Sequence, residues 1–134
     1  HRYGGYYGLR YIDVDNLKSV NDRHGHLAGD VLLTSIAKAL LGTVRRSDLI
    51  ARIGGDEFAI LLDNIQENEL ARKADRVAAM VGKLKIPHDG AQLAPSISAG
   101  YAVIEPGVKP SELLLRADRS MYAAKQAKEG GRAD

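Results

Sequence analysis

Apolar and polar residues are arranged along the chain in blocks that read as short strands separated by amphipathic helices. After an aperiodic lead-in from His1 to Gly8, the run Leu9 to Val14 is a β-rich strand. It ends in Asp13-Val14-Asp15, which puts acids at the rim of a sheet. Asn16 to His24 predicts a short helix that Asp15 or Asn16 can cap and Gly25 can stop. Its first amides point back toward the strand end, a geometry that suits phosphate. A second helix is predicted from near Leu27 to about Leu41, with Leu33, Ile36, Ala37 and Leu40 on one face. Asp30 falls in its first turn, where a carboxylate complements the helix dipole.

Asp48 to Ile53 and Phe58 to Leu62 are two further strands, joined by a turn containing Gly54 and Gly55 and followed by Asp63 and Asn64 as turn residues. From about Glu67 to Leu84, the residues Leu70, Ala74, Val77, Val81 and Leu84 recur at helical spacing. Pro87 to Pro95 reads as a loop. Ser96 to Ile104 reads as a strand with a close approach or bulge at Gly100. Pro110 opens a last helix, with Leu114, Ala117, Met121 and Ala124 on one face. The order βαα–ββ–αβα predicts an α+β fold, an α/β sandwich of the ferredoxin-like or polymerase-palm kind, in which an antiparallel-containing sheet is flanked by helices mainly on one face.

That arrangement gives the turn its interest. Gly54 and Gly55 tolerate positive φ and leave no side chain in the way of a ligand. Asp56 and Glu57 stand beside that open space, and two adjacent carboxylates repel unless a cation lies between them. Hard oxygen ligands of this kind suit Mg²⁺. In a palm-like sheet the end of the first strand lies beside the hairpin turn, so Asp13 meets Asp56 and Glu57. Three convergent carboxylates are the usual apparatus for holding two metal ions at a phosphoryl-transfer centre. Taken alone, Gly-Gly-Asp-Glu is equally an ordinary exposed hairpin tip.

Composition narrows the alternatives. At 134 residues and 45% hydrophobic content the chain is one domain, residues 1–134, large enough to bury a core without staples. A formal charge of +2 is too balanced for a general nucleic-acid binder, so an anionic ligand must be held locally. With no cysteine there is no disulfide framework and no thiolate metal site. No apolar run approaches the length needed to span a bilayer, and no signal peptide is recognisable.

Arg52-Ile53-Gly54-Gly55-Asp56-Glu57-Phe58 resembles the signature of the GGDEF domains, the diguanylate cyclases. Independently, the segment from Asp13 to Asp30 resembles the family pattern D-x-D-x-F-K-x-x-N-D-x-x-G-H-x-x-G-D, with Leu17 where Phe is usual. Ala117-Asp118-Arg119-Ser120-Met121-Tyr122-Ala123-Ala124-Lys125 is similar to its C-terminal A-D-x-x-(L/M)-Y-x-A-K. The early D-x-L-T-G-L-x-N-R segment and the last strand of the family are missing, so the chain reads as a domain trimmed at both ends. The resemblance implies that two GTP molecules condense to cyclic di-GMP with loss of two pyrophosphates, between two domains that face each other as a homodimer.

Residue by residue, the resemblance implies that Asp13, Glu57 and the Val14 carbonyl hold Mg²⁺, with Mn²⁺ as the alternative. Asp56 acts on the 3′-hydroxyl as base or further metal ligand. Asn21 and Asp30 read the guanine edge, whose donors want carboxylate or amide oxygen. Asn16 and Leu17 amides and the Lys18 ammonium cradle the phosphates, His26 matches the substrate-side pattern, and Gly54 and Gly55 leave room for the nucleotide. A lysine of the last helix adds charge: Tyr122 aligns Lys125 with the motif, whereas Gly131-Arg132 aligns Lys128. Arg45-Arg46-Ser47-Asp48 resembles the R-x-x-D inhibitory site, so Arg45 and Asp48, with Arg76 from a neighbouring domain, are expected to bind the product. By the same resemblance the domain is cytoplasmic, with an upstream sensor domain and a membrane-anchored parent as the usual setting. The alternative is a non-catalytic GGDEF-like module that binds GTP or cyclic di-GMP and regulates a partner; the intact Asp13, Asp56, Glu57, Asn21 and Asp30 favour activity.

Overall fold

The computed structural model describes residues 6–105, 107 and 109–133. Strand β1 (Tyr6–Val14) is central, paired on one side with β3 (Glu57–Ile65) and on the other with β6 (Ile97–Ile104), both antiparallel. β2 (Leu49–Arg52) completes the sheet outside β3, giving the order β2-β3-β1-β6. Between these strands run α1 (Leu17–His24), α2 (His26–Leu41) and α3 (Glu67–Gly82), and α4 (Pro110–Ala133) follows β6. The expected mixed fold is therefore present.

The period-2 pattern of β1 divides the sheet into two faces. Ile12 and Val14 join Phe58, Ile60 and Leu62 of β3 and Ile97 and Val103 of β6 in the main core, which Val20, Leu32, Ile36, Leu40, Leu70, Val77 and Val81 close from α1, α2 and α3. Fully burying each large aliphatic side chain stabilises the fold by about 1.5–3 kcal/mol relative to leaving it exposed. Leu9, Tyr11 and Asp13 point to the opposite face, where Leu9 and Ala102 form a small second cluster. α4 lies over β1 and β6 on that side, with the Ser120 hydroxyl accepting from the Tyr101 amide at 3.1 Å.

Several local expectations are corrected. Asn16 is the N-cap of α1 and Gly25 its C-cap, but no side chain makes the capping hydrogen bond: Asp15 accepts from the hydroxyls of Ser96 and Ser98 at 2.7 Å each, and Asn16 Nδ2 donates to the Ala94 carbonyl at 2.7 Å. α2 starts at His26, so Asp30 lies beyond its first turn and has no terminal dipole to complement. The loop predicted over 87–95 contains a small hairpin, β4 (Ile86–His88) and β5 (Ala91–Leu93), turning through Asp89 and Gly90 at φ 47° and 79°. Asp-Gly is a two-residue hairpin sequence because both positions tolerate the left-handed region. Asp63 and Asn64 belong to β3, not to a turn; they face the single residue Tyr7 across the ladder, a bulge that absorbs the extra residue. Pairing runs unbroken through Gly100, so no bulge occurs there. Of the apolar face predicted for the last helix, the side chains of Leu114 and Ala117 lie outside the described residues, as do those of Lys128 and Arg132 and the lead-in 1–5.

Gly8 is a tight point at the core's edge: a Cβ there would lie 2.9 Å from both Ile65 Cγ2 and Leu70 Cδ2. Gly8→Ala is expected to lower stability by about 1–3 kcal/mol through overpacking. Chemical denaturation checks this, and an unchanged midpoint would show that β3 and α3 yield freely at this point.

Candidate active site

The acids of β1 and of the hairpin turn meet because the ladder brings them together. Asp13 stands directly opposite Glu57 in the β1–β3 register, and the Val14 amide donates to the Asp56 carbonyl at 2.8 Å, extending the pairing past the strand end. Carboxylate oxygens of Asp13, Asp56 and Glu57 lie within 4.8 Å of one another. Like charges directly opposed across a ladder destabilise it, so this register opposes the stability of the empty sheet.

Two neighbours offset that repulsion. The Tyr11 hydroxyl donates to Glu57 Oε2 at 3.0 Å, and burial together with that hydrogen bond pushes the phenol up to about 12. Lys125 Nζ reaches Asp13 Oδ2 at 2.6 Å from α4. Burial holds the Asp13 carboxyl above its ordinary range, and the Lys125 ammonium only partly counteracts this. Lys125 is itself raised, first by its hydrogen bond to Asp13. Asp13 Oδ1 is buried and has no hydrogen-bond partner. An orphaned carboxylate oxygen beside two further acids is a hard-oxygen donor set, so these residues fit a hard divalent cation.

The turn between β2 and β3 spans Ile53 to Asp56, closed by Ile53 N–H donating to the Glu57 carbonyl at 2.9 Å. Neither Gly54 nor Gly55 adopts positive φ. Their value is space: a Cβ on Gly54 would lie 3.1 Å from Glu57 Oε2, and nothing stands within 4 Å of one on Gly55. Arg52 braces the tip, donating through Nε to the Gly54 carbonyl at 3.1 Å and through Nη2 to that of Gly55 at 2.8 Å.

A family model described as "Diguanylate cyclase, GGDEF domain" matches residues 1–131. The chain belongs to the GGDEF domain family. It is 42% identical over 125 residues to the diguanylate cyclase TpbB of Pseudomonas aeruginosa, covering 91% of this chain and 28% of that protein. It is 40% identical over 116 residues to the diguanylate cyclase DosC of Escherichia coli, covering 86% of this chain and 25% of that protein. The chain thus spans about a quarter of the length of either relative. The crystal structure of the GGDEF domain of DgcB from Caulobacter crescentus, in complex with c-di-GMP, superposes with a TM-score of 0.85 at 26% identity, covering 92% of this chain and 74% of that one. Among the described residues no helix is long and apolar enough to cross a membrane.

The other residues expected at the site of this GGDEF domain fall into groups. The first helical hydrogen bond of α1 runs from Val20 to Asn16, which leaves the Leu17 and Lys18 amides without helical partners near the acids' strand end. Asn21, on α1, packs its amide against Gly29 of α2, where any Cβ would overlap its Oδ1. Asp30 lines a cleft of about 320 Å³ with Leu33, Thr34, Ala37, Arg52 and Phe58. Lys18 and His26 are exposed, and Lys125 is engaged with Asp13. Arg45 and Asp48 form a bidentate pair, Nε to Oδ2 at 3.3 Å and Nη2 to Oδ1 at 3.1 Å, while Arg76 projects separately from α3. Tyr11, Arg52, Ser96 and Ser98 were not anticipated; Tyr11 was accessible from alternation alone, being two residues from Asp13 on one strand face.

Glu57→Gln is expected to raise the stability of the metal-free domain by about 0.5 kcal/mol, because it removes one of two opposed charges. It should also abolish the rise in melting temperature that Mg²⁺ gives the wild type. Thermal unfolding with chelator and with Mg²⁺ measures both, and an equal Mg²⁺ response in the two proteins would remove Glu57 from the ligand set.

Proposed function

We propose that this domain is a diguanylate cyclase that condenses two GTP molecules to cyclic di-GMP, two copies facing each other with one nucleotide each. The observation that carries this reading is the convergence of Asp13, Asp56 and Glu57 on one point beside an unobstructed glycine turn. In each half-reaction a 3′-hydroxyl attacks the other nucleotide's α-phosphorus, a new P–O ester bond forms, and the bond to the β-phosphate breaks to release pyrophosphate. Asp13, Glu57 and the Val14 carbonyl would hold a divalent cation, which would supply charge neutralisation at the triphosphate.

The chain's own residues do the rest. Asp56 takes the proton of the attacking hydroxyl. Tyr11 holds the Glu57 carboxylate in place, acting as a positioning residue. The Asn16 and Leu17 amides with Lys18 hold the phosphates, and Asn21 and Asp30 pair with the guanine edge. Lys125 sits on Asp13 in the free domain and also serves the phosphates, since one ammonium carries three donors. Product binds back at Arg45 and Asp48, whose guanidinium fork is already oriented by the ion pair, with Arg76 supplied by a neighbouring domain.

Incubating the domain with GTP and Mg²⁺ and identifying the product by chromatography tests the reading: cyclic di-GMP from the wild type and none from Asp56→Ala is expected. Product from both would dismiss Asp56, and product from neither would favour the regulatory module. Gly29→Ala separates base recognition from folding. Alanine gains up to about 1 kcal/mol of helix propensity over glycine, so the domain should remain folded. The displaced Asn21 should weaken GTP binding by about tenfold, the equivalent of one lost hydrogen bond. Unchanged affinity by calorimetry would take Asn21 out of the base site.

A further inference from the structure

The corner between β1 and α1 is held from two sides, and only one of them leads to the carboxylate cluster. Toward the hairpin turn, the Val14 amide donates to the Asp56 carbonyl. Toward β6, the Asp15 amide donates to the Ser96 carbonyl at 2.8 Å and Asn16 Nδ2 donates to the Ala94 carbonyl at 2.7 Å. The Asp15 carboxylate reinforces that second side through both of its oxygens: Oδ2 accepts from the Ser96 hydroxyl and Oδ1 from the Ser98 hydroxyl, each at 2.7 Å.

Ser98 stands opposite Asp13 in the β1–β6 register, so its hydroxyl lies on the face of the sheet that carries the acids. Asp15 is nonetheless outside the group of carboxylates that converge within 4.8 Å, which comprises Asp13, Asp56 and Glu57. Hydroxyl-to-carboxylate bonds of this length are charge-assisted and roughly twice as strong as neutral ones. Ser98 is 1% exposed, so its hydroxyl has no solvent to turn to and Asp15 satisfies it. A carboxylate gripped at both oxygens has one orientation, and the backbone that carries it leads directly into the Asn16 and Leu17 amides at the start of α1. A corner already ordered in the free domain loses less freedom when an anion is captured, and so captures it more tightly.

We propose that Asp15 is a positioning residue for the nucleotide's phosphates: clamped by Ser96 and Ser98, it fixes the start of α1 so that the Asn16 and Leu17 amides are set for the triphosphate, and it touches neither nucleotide nor cation itself. The inference rests on the reading of those amides as the phosphate cradle. Two acids separated by one residue thus have different tasks. Asp13 faces the carboxylate cluster, and Asp15 ties the corner to β6.

Amide chemical-shift titration of the whole domain tests this with two ligands: a GTP analogue with methylene between its α- and β-phosphorus, which cannot release pyrophosphate, and guanosine, which carries no phosphate. Wild type should bind the analogue more tightly than guanosine. Asp15→Ala should weaken the analogue about tenfold, the equivalent of one lost hydrogen bond, and leave guanosine unchanged. Ser96→Ala should weaken the analogue in the same direction, whereas Ser96→Thr, which keeps the hydroxyl, should bind it like the wild type. Without nucleotide, Asp15→Asn should keep the rise in melting temperature that Mg²⁺ gives the wild type. Should Asp15→Ala fail to fold, Ser96→Ala and Ser96→Thr carry the comparison. Unchanged analogue affinity in Asp15→Ala, an equal loss of guanosine affinity, or Ser96→Thr as weak as Ser96→Ala would overturn the proposal. Loss of the Mg²⁺ response in Asp15→Asn would also overturn it, by making Asp15 a cation ligand. A wild type that binds the analogue no better than guanosine would instead dismiss the phosphate cradle itself, and the positioning role with it.

Discussion

The hydrogen bond from the Val14 amide to the Asp56 carbonyl is the constraint on which the site depends. It is one bond beyond the last strand pair, Asp13 with Glu57, and it ties the β1–α1 corner to the hairpin turn. Because side chains alternate with period two, a slip of one residue in this ladder would turn Asp13 into the core and bring Ile12 to the acids. Burial of Ile12 and Val14 on one face is therefore what holds Asp13 on the other. The apolar pattern and the carboxylate cluster are two consequences of a single register.

That register works against the empty sheet. Two opposed carboxylates, with a third beside them, are tolerated because Tyr11 donates to one and Lys125 neutralises another. Each partner reaches the site by a different route: Tyr11 along the same strand face, Lys125 from a helix more than a hundred residues further along the chain. Neither consumes Asp13 Oδ1, which keeps an open coordination position in a partly buried setting. One oxygen of the Asp13 carboxylate is thus engaged by an ammonium while the other stays unengaged.

Much of this was legible in the sequence because it rests on local rules. The βαα–ββ–αβα order, the helix from Glu67 and the meeting of Asp13 with Asp56 and Glu57 follow from periodicity and from the palm-like topology. What escaped was tertiary. Asn16 takes the N-cap position, yet its side chain and that of Asp15 are drawn away from the helix amides by the Ala94 carbonyl and by Ser96 and Ser98. Asp63 and Asn64 have turn chemistry but sit in a bulge, since pairing on both sides of them outweighs their preference. The motif leaves Lys125 and Lys128 as alternative phosphate ligands, and only the path of α4 over β1 shows Lys125 on Asp13. The β4–β5 hairpin was within reach: Asp89-Gly90 announces it, and the flanking prolines hid the signal.

The bracing of the hairpin tip by Arg52 has a consequence for association. Its guanidinium holds the carbonyls of Gly54 and Gly55, and both glycines keep ordinary negative-φ or extended backbone despite their latitude. Glycine-rich tips commonly forfeit much configurational freedom when a guest arrives, which weakens capture. Here that freedom is surrendered while the chain folds, so the rim beside the acids is held in place by an arginine that lies outside the acidic cluster.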